Sequence, residues 1–254
     1  MWCRTERRPG VASKASIEIP ADAKNLVDRP ARLSTRIAAI LVDQIVDGVF
    51  VPGASLPTEA SLGASFSVSR PVVREAVKLV EQKGLIRVKQ GEGSTVLPRP
   101  EWNLLDPDVL RACLRNDDDS RLRRDVVALR SGLEADMVRR AAAHLSPEDF
   151  ARMALSLETM DVATEPHELY RADGDFHRTI HYASGNEIAR TVVSSLVREV
   201  RGTNVLGDRG REIYAAANAD HRRIYDHLQA GDAEAAALEM AKHISSRWLL
   251  STPL

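Results

Sequence analysis

Residues 33–98 change their hydrophobic period in a fixed order, and that order constrains the fold more than any other feature of the chain. Ile37, Ile40, Leu41 and Ile45 recur at helical spacing until Gly48 stops the run. After the turn-forming VPGASLP, Thr58 opens a second helix with Leu62 and Phe66 on its apolar side, and SFSV breaks it. Ser69 caps a third, RPVVREAVKLVEQKG, in which Pro71 stands near the start, where a missing N–H costs little. Val72, Val73, Ala76, Val77 and Val80 form its buried stripe, and Lys83-Gly84 closes it. The period then drops to two in LIRVKQ and STVLP, separated by Gly-Glu-Gly, which reads as a hairpin. Three helices followed by a hairpin spell a winged helix-turn-helix.

Nothing after residue 98 reads as a strand. RPEWNLLDPDVLRACLRN is a linker leading into a short helix, with Trp102, Leu104 and Leu105 expected to pack between two domains. Helical periodicity then runs through about 120–144, 147–160, 166–184, 187–203, 209–230 and 232–250. Ser146-Pro147-Glu148-Asp149 is a strong helix start, and Asn186 and Asp232 are further caps. Aromatics make up 4% of the chain, so its core rests on Leu, Val, Ile and Ala, which suits packed helices. The expected fold is mainly α: an N-terminal winged helix-turn-helix with a β-hairpin wing, then an all-α bundle of six to seven helices. The expected division is an arm without packed structure at 1–28, the winged helix-turn-helix domain at 29–98, linker and short helix at 99–118, and the all-helical domain at 119–254.

A net charge of −1 does not advertise nucleic-acid binding, but such binding needs only a local basic face. Residues 67–90 supply one, with Glu75 and Glu81 their only acids. Arg70 and Arg74 lie four apart on one face of the third helix, and its N-terminal end is the end that meets base edges in this docking geometry. Arg is shaped for bidentate contact with guanine, while Lys78, Arg87 and Lys89 can meet phosphate. Cys3 and Cys113 form no CxxC pair, which fits a reducing compartment. The chain lacks a long apolar run and an apolar N-terminal stretch, so it is expected in the cytoplasm, with no membrane partner.

These motifs, in this order, resemble the GntR family of bacterial regulators. PGASLPTE matches the family's turn and second-helix start, VSRPVVREAVKLVEQKGLI its recognition helix, and QGEGSTV its wing. The resemblance implies DNA contacts at Ser69, Arg70, Arg74, Gln90 and Gly91, beside the phosphate contacts of Lys78 and Lys89. One departure is Ala60, where many members carry Arg. The implied partner is a palindromic double-stranded operator, bound by a homodimer.

The second half resembles the effector domain of the FadR-type branch, the FCD domain, in RSGLEADMVRRAA, DGDFHRTIHYASGN and DHRRIYDHLQAGDAEAAALEMAKHI. In a subset of that branch a divalent metal is held by one Asp and three His, which here correspond to Asp173, His177, His221 and His243. Such a donor set suits Zn²⁺ first, with Ni²⁺ or Mn²⁺ possible. Asp173 and His177 are one turn apart, but His181 lies four residues further on the same face and stays open as a ligand. His144, His167 and His227 read as surface or packing residues. The resemblance also implies that Arg130 grips the effector's carboxylate, for which a guanidinium fork is well shaped. WNLLDPDVLR with LPTEA narrows the likeness to sugar-acid regulators, which implies an aldonate effector and repression. A lactate-like or other small carboxylate is the alternative effector. A metal-dependent enzyme is the alternative class, although no general base stands out beside the ligands.

Overall fold

The computed structural model describes residues 29–117, 120–201 and 210–250; the expected arm at 1–28 lies outside them. The N-terminal unit is built from α1 (Arg29–Val46), α2 (Glu59–Phe66), α3 (Arg70–Gln82), β1 (Ile86–Lys89) and β2 (Gly93–Val96). Thr58 caps α2 by accepting from the Ser61 N–H, whereas Ser69 stands at the α3 N-cap position without a side-chain cap bond. Gly84 ends α3 in the left-handed region at φ 72°, where a Cβ would come within 2.9 Å of the Asn103 side chain.

β1 and β2 pair antiparallel with Ile86 opposite Val96 and Lys89 opposite Gly93. The three-residue loop between them carries Gly91 at φ 80°, a conformation that favours glycine. The segment expected to be only a turn after α1 does more: Ser55 bridges Thr95, and the Leu56 N–H donates to Ser94 O at 2.8 Å. It lies against β2 and covers the edge of the hairpin.

The linker departs from expectation. Trp102 and Leu104 pack into the core of the N-terminal unit, with Trp102 Nε1 donating to Leu97 O at 2.8 Å, while Leu105 is exposed. A one-turn 3-10 segment (Arg99–Glu101) leads to α4 (Pro107–Arg115), which Asp106 caps through the Asp108 and Val109 N–H groups. α4 has two apolar faces. Val109, Ala112 and Cys113 join Leu41, Val73 and Leu85 in the N-terminal core, whereas Leu110 and Leu114 join Val126 and Leu196 of the bundle. A short helix with apolar residues on two sides can bury both only by lying between two bodies.

The bundle consists of α5 (Arg121–Ala141), α6 (Pro147–Val162), α7 (Pro166–Ala183), α8 (Glu187–Arg201), α9 (Gly210–Gln229) and α10 (Ala233–Leu250). These are the six long helices the periodicity predicts. Ser146 and Asp149 form a reciprocal capping box at α6, and Asn186 and Asp232 accept from the Ala189 and Ala235 N–H groups. Its core is aliphatic and methionine-rich: Val138, Met153, Leu157, Phe176, Ile180, Ile224 and Met240. α10 packs against both α5 and α9, and α7 against α5, α6 and α9, so α5, α7, α9 and α10 adjoin one another. Among the described residues, no helix is long and apolar enough to cross a membrane.

Candidate functional site

Every residue expected to meet DNA is exposed: Ser69, Arg70, Arg74 and Lys78 along α3, and Lys89, Gln90 and Gly91 at the hairpin tip. The opposite side of α3 is buried through Val73, Ala76, Val77 and Val80, which fixes the rotation of the helix and turns the cationic residues outward. Arg74 is not idle. Its Nε and Nη2 donate to the two carboxylate oxygens of Glu59, at 3.0 and 2.9 Å. That bidentate bond from Arg74 holds the Glu59 carboxyl below its usual range. Lys89 pairs with Glu92 at 3.1 Å, and Lys78 stands 3.9 Å from Glu75. Glu59 as the partner of Arg74 was not legible in the sequence, because the two sit on different helices.

The second site lies inside the bundle. Asp173 and His177 come from α7, His221 from α9 and His243 from α10, and all four are buried. His177 Nε2 lies 3.2 Å from His221 Nε2 and 3.3 Å from His243 Nε2, and Asp173 Oδ1 is 3.6 Å from His221 Nε2. Three imidazole nitrogens aimed at one another need a proton or a cation between them. Spacings near 3.3 Å are also about the edge of a coordination polyhedron with metal–nitrogen bonds of ~2.0–2.1 Å. The donor set therefore fits a divalent metal. Phe176 packs against His221 with ring centres 4.7 Å apart and planes tilted by 44°, and forms part of the apolar wall.

Of the outer nitrogens, His243 Nδ1 and His177 Nδ1 each face a carboxylate, and only His243 does so in hydrogen-bond geometry. His243 Nδ1 lies 3.3 Å from Asp220 Oδ2, and Asp220 is also bound by Arg223. The hydrogen bond from His243 holds the Asp220 carboxyl below its ordinary range despite burial. His177 Nδ1 lies 3.0 Å from Glu134 Oε2. Carboxylates behind ligating imidazoles fix ring orientation and raise ligand basicity.

His181 does not join the four. Its Nε2 faces Glu134 Oε2 at 3.2 Å, in a second group made of Glu134, His177 and His181. Arg130 stands at the edge of the same group, 15% exposed, with Nη2 2.9 Å from Glu134 Oε1. Burial pushes the Glu134 carboxyl up, but Arg130, His177 and His181 together bring it well below the usual carboxylate range, so it is ionised. Glu134 and Asp220 were both missed in the sequence. The signal for Glu134 was its place four residues after Arg130; the signal for Asp220 was weaker, its place just before His221. His144 and His167 are exposed and His227 is half-buried, as expected of residues outside the site.

Comparison with known proteins assigns both halves of the chain to known families. The family of bacterial regulatory proteins of the gntR type matches residues 33–96, and the FCD domain family matches residues 125–246. The galactonate operon transcriptional repressor of Escherichia coli K12 is 34% identical over 81% of this chain and 92% of its own length. The chain belongs to the GntR family, in its FadR-type, FCD-bearing branch. The HTH-type transcriptional regulator LutR of Bacillus subtilis is a further relative, 31% identical over 80% of this chain and 93% of its own. Among solved structures, Lar of Listeria monocytogenes shares the fold, with a TM-score of 0.55 at 17% identity, covering 86% of this chain and 96% of that one. This GntR chain is thus a DNA-binding transcription regulator with a small-molecule effector domain, and not an enzyme.

Proposed function

We propose that the protein is a homodimeric repressor that binds a palindromic operator and leaves it when a small sugar acid of the aldonate class, such as galactonate, enters the bundle. The observation that carries the reading is the burial, in one place, of a four-residue Asp/His donor set and a guanidinium one carboxylate away. A hydroxy acid offers the matching chemistry: a carboxylate for Arg130 and adjacent oxygens for a metal held by Asp173, His177, His221 and His243. A bound divalent ion would supply a Lewis-acidic anchor for those oxygens. Arg130 orients the carboxylate, and the apolar wall around Phe176 excludes water. The likeness to the galactonate operon repressor favours the aldonate class over other acids.

On the duplex, α3 enters the major groove and the hairpin tip tracks the adjacent backbone. Arg70 and Arg74 read bases near the α3 N-terminus; Ser69, Lys78, Lys89, Gln90 and the backbone of Gly91 hold phosphate and sugar. A two-fold dimer would read half-sites about one helical turn apart. Acid binding shifts the bundle helices, and α4 carries the shift to the head, because it packs into both cores.

The test is a thermal-shift screen of the full chain against aldonates, lactate and other small carboxylates, with and without a chelator, followed by gel shifts on DNA upstream of its own gene. An aldonate that stabilises the chain only without chelator, and releases that DNA, is expected. Stabilisation by lactate alone would move the effector to the alternative class, and release by no acid would end the reading.

A further inference from the structure

The Glu134 side chain has no solvent exposure, yet it touches three polar side chains of the site at once. Oε1 accepts from Arg130 Nε at 3.0 Å and lies 2.9 Å from its Nη2. Oε2 lies 3.0 Å from His177 Nδ1 and 3.2 Å from His181 Nε2. A carboxylate has about four lone-pair sites and no donor, so it can serve all of these only if each neighbour presents a hydrogen. At 3.0 Å a proton on His177 Nδ1 is drawn to Oε2, although the ring is turned off line for a hydrogen bond as it stands; with the proton there, the Nε2 lone pair aims at His221 and His243.

We infer that Glu134 is a positioning residue that links the two halves of the ligand site. One oxygen sets His177 for the metal, and the other sets Arg130 for the acid's carboxylate. The inference rests on the reading above that the Asp/His cluster holds a divalent ion and that Arg130 receives the acid. Glu134, His177 and His181 could themselves be taken for a second metal site. Arg130 argues against it, because its guanidinium already supplies the cationic charge at that carboxylate, and a dication there would face it at close range.

The isosteric change Glu134→Gln separates the two links. A Gln oxygen facing Arg130 turns its NH₂ toward His177 Nδ1, which must then accept, and the proton moves to Nε2, where it blocks the metal. A Gln oxygen facing His177 sets NH₂ against the guanidinium. Either way one link fails.

The experiment is competition for Zn²⁺ alone between the full-length chain and a chromophoric chelator. E134Q is expected to bind Zn²⁺ roughly 10–100-fold more weakly than the unmodified chain, the range for loss of an outer-shell partner. E134D keeps acceptors on both sides and should fall between them; it also carries the test if E134Q fails to fold. R130M should shift Zn²⁺ affinity in the unmodified background and add nothing in E134Q, a non-additivity that general destabilisation would not produce. Zn²⁺ affinity in E134Q and E134D within about twofold of the original, or fully additive R130M and E134Q effects, would overturn the inference. So would a second Zn²⁺ per chain that E134Q alone removes. If the unmodified chain takes up no Zn²⁺, or H221A takes it up equally well, the metal reading fails first and this inference with it.

Discussion

The head and the bundle both place function in polar side chains, but in opposite physical settings. On α3 and the hairpin the functional residues are exposed, and their ion pairs are too: Arg74 retains 61% of its side-chain exposure while bonded to Glu59. Such pairs are weak and screened by salt, so a phosphate or a base edge can replace the protein partner at little cost. In the bundle the same kinds of group are sealed in. His221 is fully buried, Glu134 likewise, and each has an oriented neighbour. There, a partner can be exchanged only for a ligand of matching charge and shape, because an unpaired buried charge is costly. On the proposed function, one surface is built for exchange with a polyanion, and the other keeps its partners until a small anion arrives.

The sharpest way to break this contrast is His221→Ala. Removing a fully buried donor should weaken Zn²⁺ binding by more than the ~10–100-fold that an outer partner costs, measured by chelator competition. It should also abolish the chelator sensitivity of Tm while leaving α3 able to bind DNA. A variant that keeps its Zn²⁺ affinity would mean the cluster is ordinary core polarity. The second largest effect lies in the head. Arg70→Ala should weaken operator binding roughly 5–150-fold, the ~1–3 kcal/mol of one bidentate base contact, and relax discrimination at one base position. Because Arg70 is exposed and outside both cores, Tm should not move. Equal loss on operator and unrelated DNA would reassign Arg70 to phosphate.

Between the two regions runs a chain of charges. Glu199 of α8, buried, accepts from Arg111 Nε at 2.8 Å; Arg111 reaches Asp108 at 3.3 Å; Asp108 meets Lys83 Nζ at 2.6 Å; and Lys83 also bonds Asp106. Lys83 is the C-cap residue of α3, so the path ends on the helix proposed to read DNA. Burial depresses the Lys83 pKa, but its bonds to Asp108 and Asp106 outweigh that and raise it. A raised lysine pKa gives stability that is intact below about pH 10.4 and lost only as pH climbs through the folded value, so the strut is constant across neutral pH. Arg111→Met leaves Glu199 buried and unpaired. The expected cost is about 1–2 kcal/mol in thermal unfolding, less than the ~3–5 kcal/mol of a fully buried pair, because Arg111 is partly exposed. The larger readout is coupling: an acid that stabilises the variant should release less of it from operator DNA. Unchanged release would leave the apolar faces of α4 as the only link.

How much of this was legible depended on the range of the signal. The head could be read because its determinants are local: the Thr58 cap, Pro71 in the first turn of α3, Gly84 after it and Gly91 in the wing all act within a few residues of where they stand. In the bundle, helix starts at Ser146, Asn186 and Asp232 were equally readable, and so was the shared face of Asp173 and His177. His221 and His243 lie on other helices, and only the family likeness brought them to the same centre. Glu134 was hidden for a physical reason. It sits in a helix that also carries Arg123, Arg124, Arg139 and Arg140, so in the sequence a further charge there reads as solvated surface. The same blindness put Leu105 inside, where the structure exposes it, and left unrecognised that α4 shares the head's core.

The smallest expected effect tests the exposed side of the contrast most directly. Glu59 holds both donors of one edge of Arg74, and it does so from α2, the helix that crosses the backbone in this docking mode. Glu59→Gln removes a negative charge from a face that meets phosphate, so binding to unrelated DNA at low salt should strengthen slightly and its salt slope steepen by up to about one counterion. The same change releases Arg74 from a fixed orientation, so preference for the operator over unrelated sequence should fall. Stability should be unaffected, because both side chains are exposed. If operator preference holds while general affinity rises, Glu59 is only a charge to be overcome. If preference falls, the exposed ion pair orients Arg74 toward its base before DNA arrives, and the head too contains a small measure of the preorganisation that the bundle has in full.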